Sequence, residues 1–179
     1  PPLVTLQTDK KNTLPPVKDI TLQIYLRPHL AAWLRTRWGN PVHFPVRSYE
    51  NMLLHFLVTR GRCAPCPLSP PEAEKERVSI VLTDCAHRRP EYYHHLTRRA
   101  SLDFARELER QFRLQLWQEC SPLLLQRSGL NSGLERWCQR QGIKVEHREG
   151  VRQKFYRMRK IYDADRENEP KRSHYSGKK

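Results

Sequence analysis

Four residues have the spacing of a metal site. Cys63 and Cys66 flank Ala64-Pro65 in the manner of half a zinc knuckle, and Cys85-Ala86-His87 could complete a four-ligand set. Zinc takes thiolate and imidazole ligands at tetrahedral geometry, and a strand between two ligand pairs occurs in zinc ribbons. The second pair has one intervening residue where two to four are usual, so zinc is the weaker reading beside free cysteines, and no cofactor is expected. A redox role for Cys63 and Cys66 fails because Pro67, Pro70 and Pro71 follow, where a helix would be needed.

His94 and His95, beside Tyr92 and Tyr93, invite comparison with nucleases that combine two histidines and a tyrosine nucleophile. That chemistry needs both rings on one face of a strand. Adjacent residues on a helix, the state expected for Glu91 to Leu96, point about 100° apart. Asp84 is a lone carboxylate at a strand end with no second acid and lysine to hold a catalytic metal. The seven glycines are unclustered, so no phosphate-cradling loop exists, and no Gly-x-Ser-x-Gly elbow occurs. The expectation is therefore a non-catalytic protein, with a nuclease or other nucleic-acid-processing enzyme as the enzyme alternative.

Basic residues carry a stronger signal. Around a helix beginning near Arg148 or Glu149 and ending near Tyr162, the side chains of Val151, Phe155, Met158 and Tyr162 fall within about 60° of one another. That stripe can dock on a body. Arg148 opens the helix, and Arg152, Lys154, Tyr156, Arg157, Arg159 and Lys160 fan around the rest, with Glu149 the acid opposing them. With the preceding segment, in which Leu134, Trp137 and Cys138 face inward and Gly142 turns the chain, the unit resembles a helix-turn-helix in outline. The link read from Gly142 to His147 is longer than the usual three or four residues. A second cluster, Arg88, Arg89, Arg98 and Arg99, interleaves with Tyr92, Tyr93, His94 and His95 and suits stacking on unpaired bases. A third, Arg35, Arg37 and Arg47 around Trp38, is weaker.

The elements that must position these residues follow from periodicity and punctuation. Residues 1–18 form an N-terminal arm with four prolines and no sustained period. Residues 19–87 form a small α+β subdomain. Ile20 to Leu26 alternates as a strand, and His29 to Trp38 has helical spacing before Gly39-Asn40-Pro41. A short extended piece at 42–44 leads to a helix capped by Ser48, with Tyr49, Met52, Leu53, Phe56 and Leu57 as its expected buried stripe and Gly61 as its stop. A Pro/Cys loop spans 62–77, and Val78 to Thr83 is a second strand. Residues 88–162 form a helical subdomain. Its long helix is capped by Thr97 or Ser101, with Leu102, Ala105, Leu108, Phe112 and Leu116 inward, and Leu123 to Leu125 supplies a short buried segment. A helix from Asn131 or Ser132 to Gln141 precedes the terminal basic helix, and 163–179 is a charged tail. The fold class is α+β, predominantly helical: a small N-terminal sheet with two helices, then a helical C-terminal part ending in a helix-turn-helix-like pair.

Composition ties this together. The 179 residues carry 33 Lys and Arg against 19 Asp and Glu, a formal charge of +14. Such a surplus attracts polyanions through counterion release. Apolar runs fall far short of the roughly 20 residues that cross a bilayer, and no secretory leader is apparent, so an intracellular, cytoplasmic setting without membrane contact is expected. The sequence therefore points to a nucleic-acid-binding protein, DNA favoured over RNA. It reads as a regulator or an accessory factor of replication or of a mobile element, acting through the basic C-terminal helix. The alternative is a basic structural component of a ribonucleoprotein or other large nucleic-acid assembly. A protein partner could engage the N-terminal subdomain.

Overall fold

Alternation of apolar and polar residues sets the first strand. In the computed structural model, which describes residues 20–61, 75–85, 87–125 and 129–168, Leu22, Ile24 and Leu26 of β1 (Thr21–Leu26) turn inward. β1 pairs antiparallel with β3 (Glu76–Val81), from Thr21 opposite Val81 to Leu26 opposite Glu76. The extended piece expected at 42–44 joins the other side of β3 through one residue. Val42 donates to the Ser79 carbonyl (2.8 Å) and accepts from the Val81 amide (2.9 Å).

Pro28 opens α1 (Pro28–Trp38), since a first-turn position needs no amide donor, and Gly39 ends it at φ +82°. Trp33 is fully buried. Its indole N–H donates to Gln115 Oε1 (2.9 Å) on α3 (Arg98–Cys120). Phe112 of α3 sits at the centre of the core, edge-on to Trp33 (5.7 Å), His29 (5.2 Å) and Trp137 (5.6 Å). Residues from β1 to Phe155 join one hydrophobic cluster, so both halves of the chain share a core. The protein is a predominantly helical α+β fold with five α-helices among the described residues.

Several expected elements differ. The helix α2 (Tyr49–Leu57) begins at the expected Ser48 cap, whose Oγ accepts from the Asn51 amide (3.1 Å), and Leu53 and Leu57 of the expected stripe are half-buried against the core, but the rest of the buried face differs. Asn51 and Leu54 are buried, whereas Tyr49, Met52 and Phe56 are 48%, 60% and 75% exposed. Asn51 turns inward because it is fully used there: Nδ2 donates to the Val46 carbonyl (2.9 Å) and Oδ1 accepts from Thr83 Oγ1 (3.0 Å). The helix stops at Leu57, ahead of Gly61, and the chain continues as β2 (Thr59–Arg60).

Residues 91–96 are not helical. A turn from Arg89 to Tyr92 leads into β4 (Tyr93–His95), which pairs antiparallel with β2. Tyr93 suits a strand, and Thr97 begins α3 by accepting from the Ala100 amide (3.2 Å). The loop expected over 62–77 gives up Glu76 and Arg77 to β3, where Arg35 holds Glu76 (2.6 Å) and the Arg77 carbonyl (2.8 Å). In α3 the inward row is Phe104, Leu108, Phe112, Leu116 and Cys120, while Leu102 is exposed. A 3-10 turn, Ser121–Leu125, half-buries Leu123 and Leu124 but leaves Leu125 exposed. α4 (Leu130–Arg140) and α5 (Val145–Asn168) follow, so α5 takes in the start of the expected tail at 163–179. Arg159 and Asp163, one turn apart and ion-paired at 3.4 Å, carry it onward. Among the described residues no helix is long and apolar enough to cross a membrane.

Candidate nucleic-acid interface

α3, α4 and α5 pack against one another, and the link between the last two is built from one glycine. Gly142 lies at φ +66°, its amide donating to the Gln139 carbonyl (3.1 Å), while the Ile143 amide donates to Cys138 (2.9 Å). Together these form a Schellman turn, with buried Ile143 closing it against Trp137 and Cys138. A Cβ at Gly142 would lie 2.7 Å from Thr36 Oγ1, and that hydroxyl donates to the Gln141 carbonyl (3.1 Å), so α1 braces the turn. The link is therefore the four residues 141–144, shorter than the expected 142–147. α5 starts early because Val145 and Glu146 make an exposed first turn that leaves no apolar trace.

The apolar stripe anchors α5 as its periodicity implies. Val151 and Phe155 are fully buried and Met158 is half-buried. Tyr162 stacks on Trp117 at 4.2 Å and 8°, an aromatic pair across elements that periodicity alone does not reveal. The Tyr156 hydroxyl donates to Asn131 Oδ1 (2.9 Å), tying α5 to α4.

The cations divide into two groups. Lys154 is not free for a ligand: its side chain is 13% exposed and Nζ meets Glu109 Oε1 at 2.5 Å. Glu109 also meets His29 (3.4 Å) and Arg113 (3.2 Å). Burial pushes the Glu109 carboxyl up, but the hydrogen bonds and charges of His29 and Lys154 outweigh it and hold it down at about 2. Arg148 is also structural, donating to the Ile143 carbonyl (3.2 Å) and to Glu135 (3.1 Å). Arg152 pairs with Glu149 (2.5 Å) and Arg159 with Asp163, both at the surface. Opposing acids thus come from α3, α4 and the next turn of α5 as well as from Glu149. Arg157 and Lys160 remain exposed without an ion pair among the described residues, as do Arg136 on α4 and Lys144 in the link. Neither Arg136 nor Lys144 is among the residues expected from the sequence. No local signal singles them out: neither has an acid three or four residues away, but nor do Arg148 and Lys154, which acids distant in sequence occupy.

The second cluster is also partly structural. Arg88 Nη1 donates to the carbonyls of His55 (2.7 Å), Phe56 (3.2 Å) and Val58 (3.3 Å), capping α2, so it is not a ligand-facing residue. Arg89, Arg98 and Arg99 are exposed. His94 is buried, its Nδ1 donating to the Pro90 carbonyl (3.1 Å), while His95 is exposed, so the pair faces opposite ways across a strand. In the third cluster Arg37 lies over Trp38 (4.6 Å) and donates to Gln115 (2.9 Å). Of the candidate zinc ligands, Cys85 is half-buried and His87 exposed, and Cys63 and Cys66 lie outside the described residues. Among the described residues no three His, Cys, Asp or Glu side chains gather as a metal site. Burial pushes the Cys120 and Cys138 thiols up to about 12 and about 11, away from the reactive thiolate form.

Comparison of the chain with protein-family models, with curated proteins and with solved structures finds no match in any of the three.

Proposed function

We propose that the chain is a non-catalytic DNA-binding protein that lays the α4–link–α5 unit against a duplex. The observation carrying this reading is the pairing of an anchored helix with Arg136, Lys144, Arg157 and Lys160, cations on that unit that no acid neutralises among the described residues. The first turns of α5 carry Glu146 and Glu149 outward, which disfavours base reading by the helix N-terminus and favours phosphate contacts from its later turns. Affinity then comes from counterion release, with little preference for sequence.

Four phosphate contacts give a salt slope of about −3.6, so a fourfold rise in salt weakens binding on the order of a hundredfold. Fluorescence anisotropy with a labelled duplex over a salt series measures this. The double variant Arg157→Ala with Lys160→Ala, checked for an unchanged thermal midpoint, is expected to reduce the slope by about 1.8. An unchanged affinity and slope in that variant would remove α5 from the interface. Equal, steep binding to duplex and structured RNA would favour the ribonucleoprotein alternative.

A further inference from the structure

The β2–β4 ribbon presents a different chemistry from α5. Thr59 and His95, opposite one another, are both exposed, as are Arg60 and Tyr92 at the other end. The Arg60 guanidinium lies 5.9 Å from the centre of the Tyr92 ring, which is 55% exposed. The ribbon is held firmly from below. Arg88 ties it to the end of α2 and lies 5.8 Å from the Tyr93 ring. Gly61 donates to the Tyr92 carbonyl (2.9 Å) and lacks the Cβ that would strike the buried His94 ring.

The arginines beside it are unusual within their own helix. Farther along α3, Arg106, Arg110 and Arg113 are each paired with an acid three or four residues away. Arg98 and Arg99 have no ion pair among the described residues, nor has Arg89 in the preceding turn. They also stand in a first turn that holds no acid, where the helix dipole disfavours cations. From residue 87 to residue 99 the sequence has one acid, Glu91. Folding alone gives no reason for three unpaired arginines to flank the two ends of β4, one before Tyr92 and two after His95.

We infer that the ribbon and the start of α3 form a second binding surface, for unpaired nucleotides of a single strand. A base stacks on Tyr92, with Arg60 beside it, and the neighbouring phosphates meet Arg89, Arg98 and Arg99. Every base has a π-face, so the surface takes DNA and RNA strands by the same contact. It is independent of the duplex reading of α5.

The test uses the full chain and labelled oligo-dT and oligo-U of about twelve nucleotides, within the span one such surface covers. Tyr92→Ala is expected to weaken both about tenfold, and Tyr92→Phe to restore them, with duplex binding unchanged. Arg98→Ala with Arg99→Ala should flatten the single-strand salt slope by about 1.4. Binding of one of the two strands but not the other would overturn recognition by this shared contact. The inference is overturned if the wild-type chain binds neither strand, if Tyr92→Ala leaves binding unchanged, or if Tyr92→Phe fails to restore it. Arg157→Ala with Lys160→Ala is the control. Loss of duplex binding there, with strand binding kept, separates the two surfaces, and failure of α5 to bind duplex leaves the ribbon result intact.

Discussion

Glu109 meets Lys154, Arg113 and His29 from three directions, and at 16% side-chain exposure it is the most enclosed ion-paired acid among the described residues. Its carboxyl is held at about 2 from an ordinary 4.5, so its contribution to stability is complete above pH 4.5. That contribution fades as the pH falls from there towards 2. The depression corresponds to roughly 3 kcal/mol. Urea denaturation at pH 7 and pH 3 should show the wild-type chain losing part of this, and Glu109→Gln should lose much less between the same two values. At pH 7 the variant should be less stable by about 3 kcal/mol, because Lys154 is left enclosed without its acid. Equal pH dependence in both chains would mean that the carboxylate is better hydrated than its contacts suggest. The lysine that periodicity placed on a ligand-facing helix thus acts as a strut between α5 and α3. Sequence could not reveal this, because its partner lies 45 residues away.

At the scale of elements, punctuation was more legible than faces. Gly39, Ser48, Thr97 and Gly142 mark boundaries through local chemistry, and each marks one here. The faces of α5 were also legible, since Val151 and Phe155 stand in a background of charge. α2 was not: Tyr-Glu-Asn-Met-Leu-Leu-His-Phe-Leu is apolar on more than one side. What decides its orientation is the buried bonding of Asn51 to Thr83, a long-range event. The ribbon was missed for a related reason, since β4 exists only through pairing with β2 more than thirty residues earlier. The face of α2 can be checked by substitution. Met52→Ser and Phe56→Ser should shift stability by no more than about 0.5 kcal/mol, whereas Leu54→Ala should cost about 2–5 kcal/mol. Chemical denaturation of the three variants measures this. A large loss at Phe56 with tolerance at Leu54 would restore the stripe read from sequence.

The whole molecule carries +14, but the charge that could meet a ligand is sparser than that number implies. Ion pairs and carbonyl caps occupy Arg35, Arg88, Arg148 and Lys154, and among the described residues the exposed cations without an ion pair include those at the ribbon and along α4 and α5, besides Arg27, Arg47, Lys75 and Arg77. α5 runs alongside α3 in the same sense, Lys154 meeting Glu109 and Tyr162 meeting Trp117. Nineteen residues separate Arg98 from Trp117, about 28 Å at 1.5 Å per residue. At 3.4 Å per stacked nucleotide that is roughly eight nucleotides. If both surfaces act as proposed, a duplex with a single-stranded tail can occupy them together, and the second contact becomes intramolecular. Such a substrate with a tail of about twelve nucleotides should bind tighter than either piece alone by about tenfold or more. Tails well short of about eight nucleotides should add little. Anisotropy competition across a tail-length series measures this, and both Tyr92→Ala and Arg157→Ala with Lys160→Ala should abolish the gain. A gain that rises smoothly with tail length and survives both changes would mean that the strand meets only diffuse positive charge.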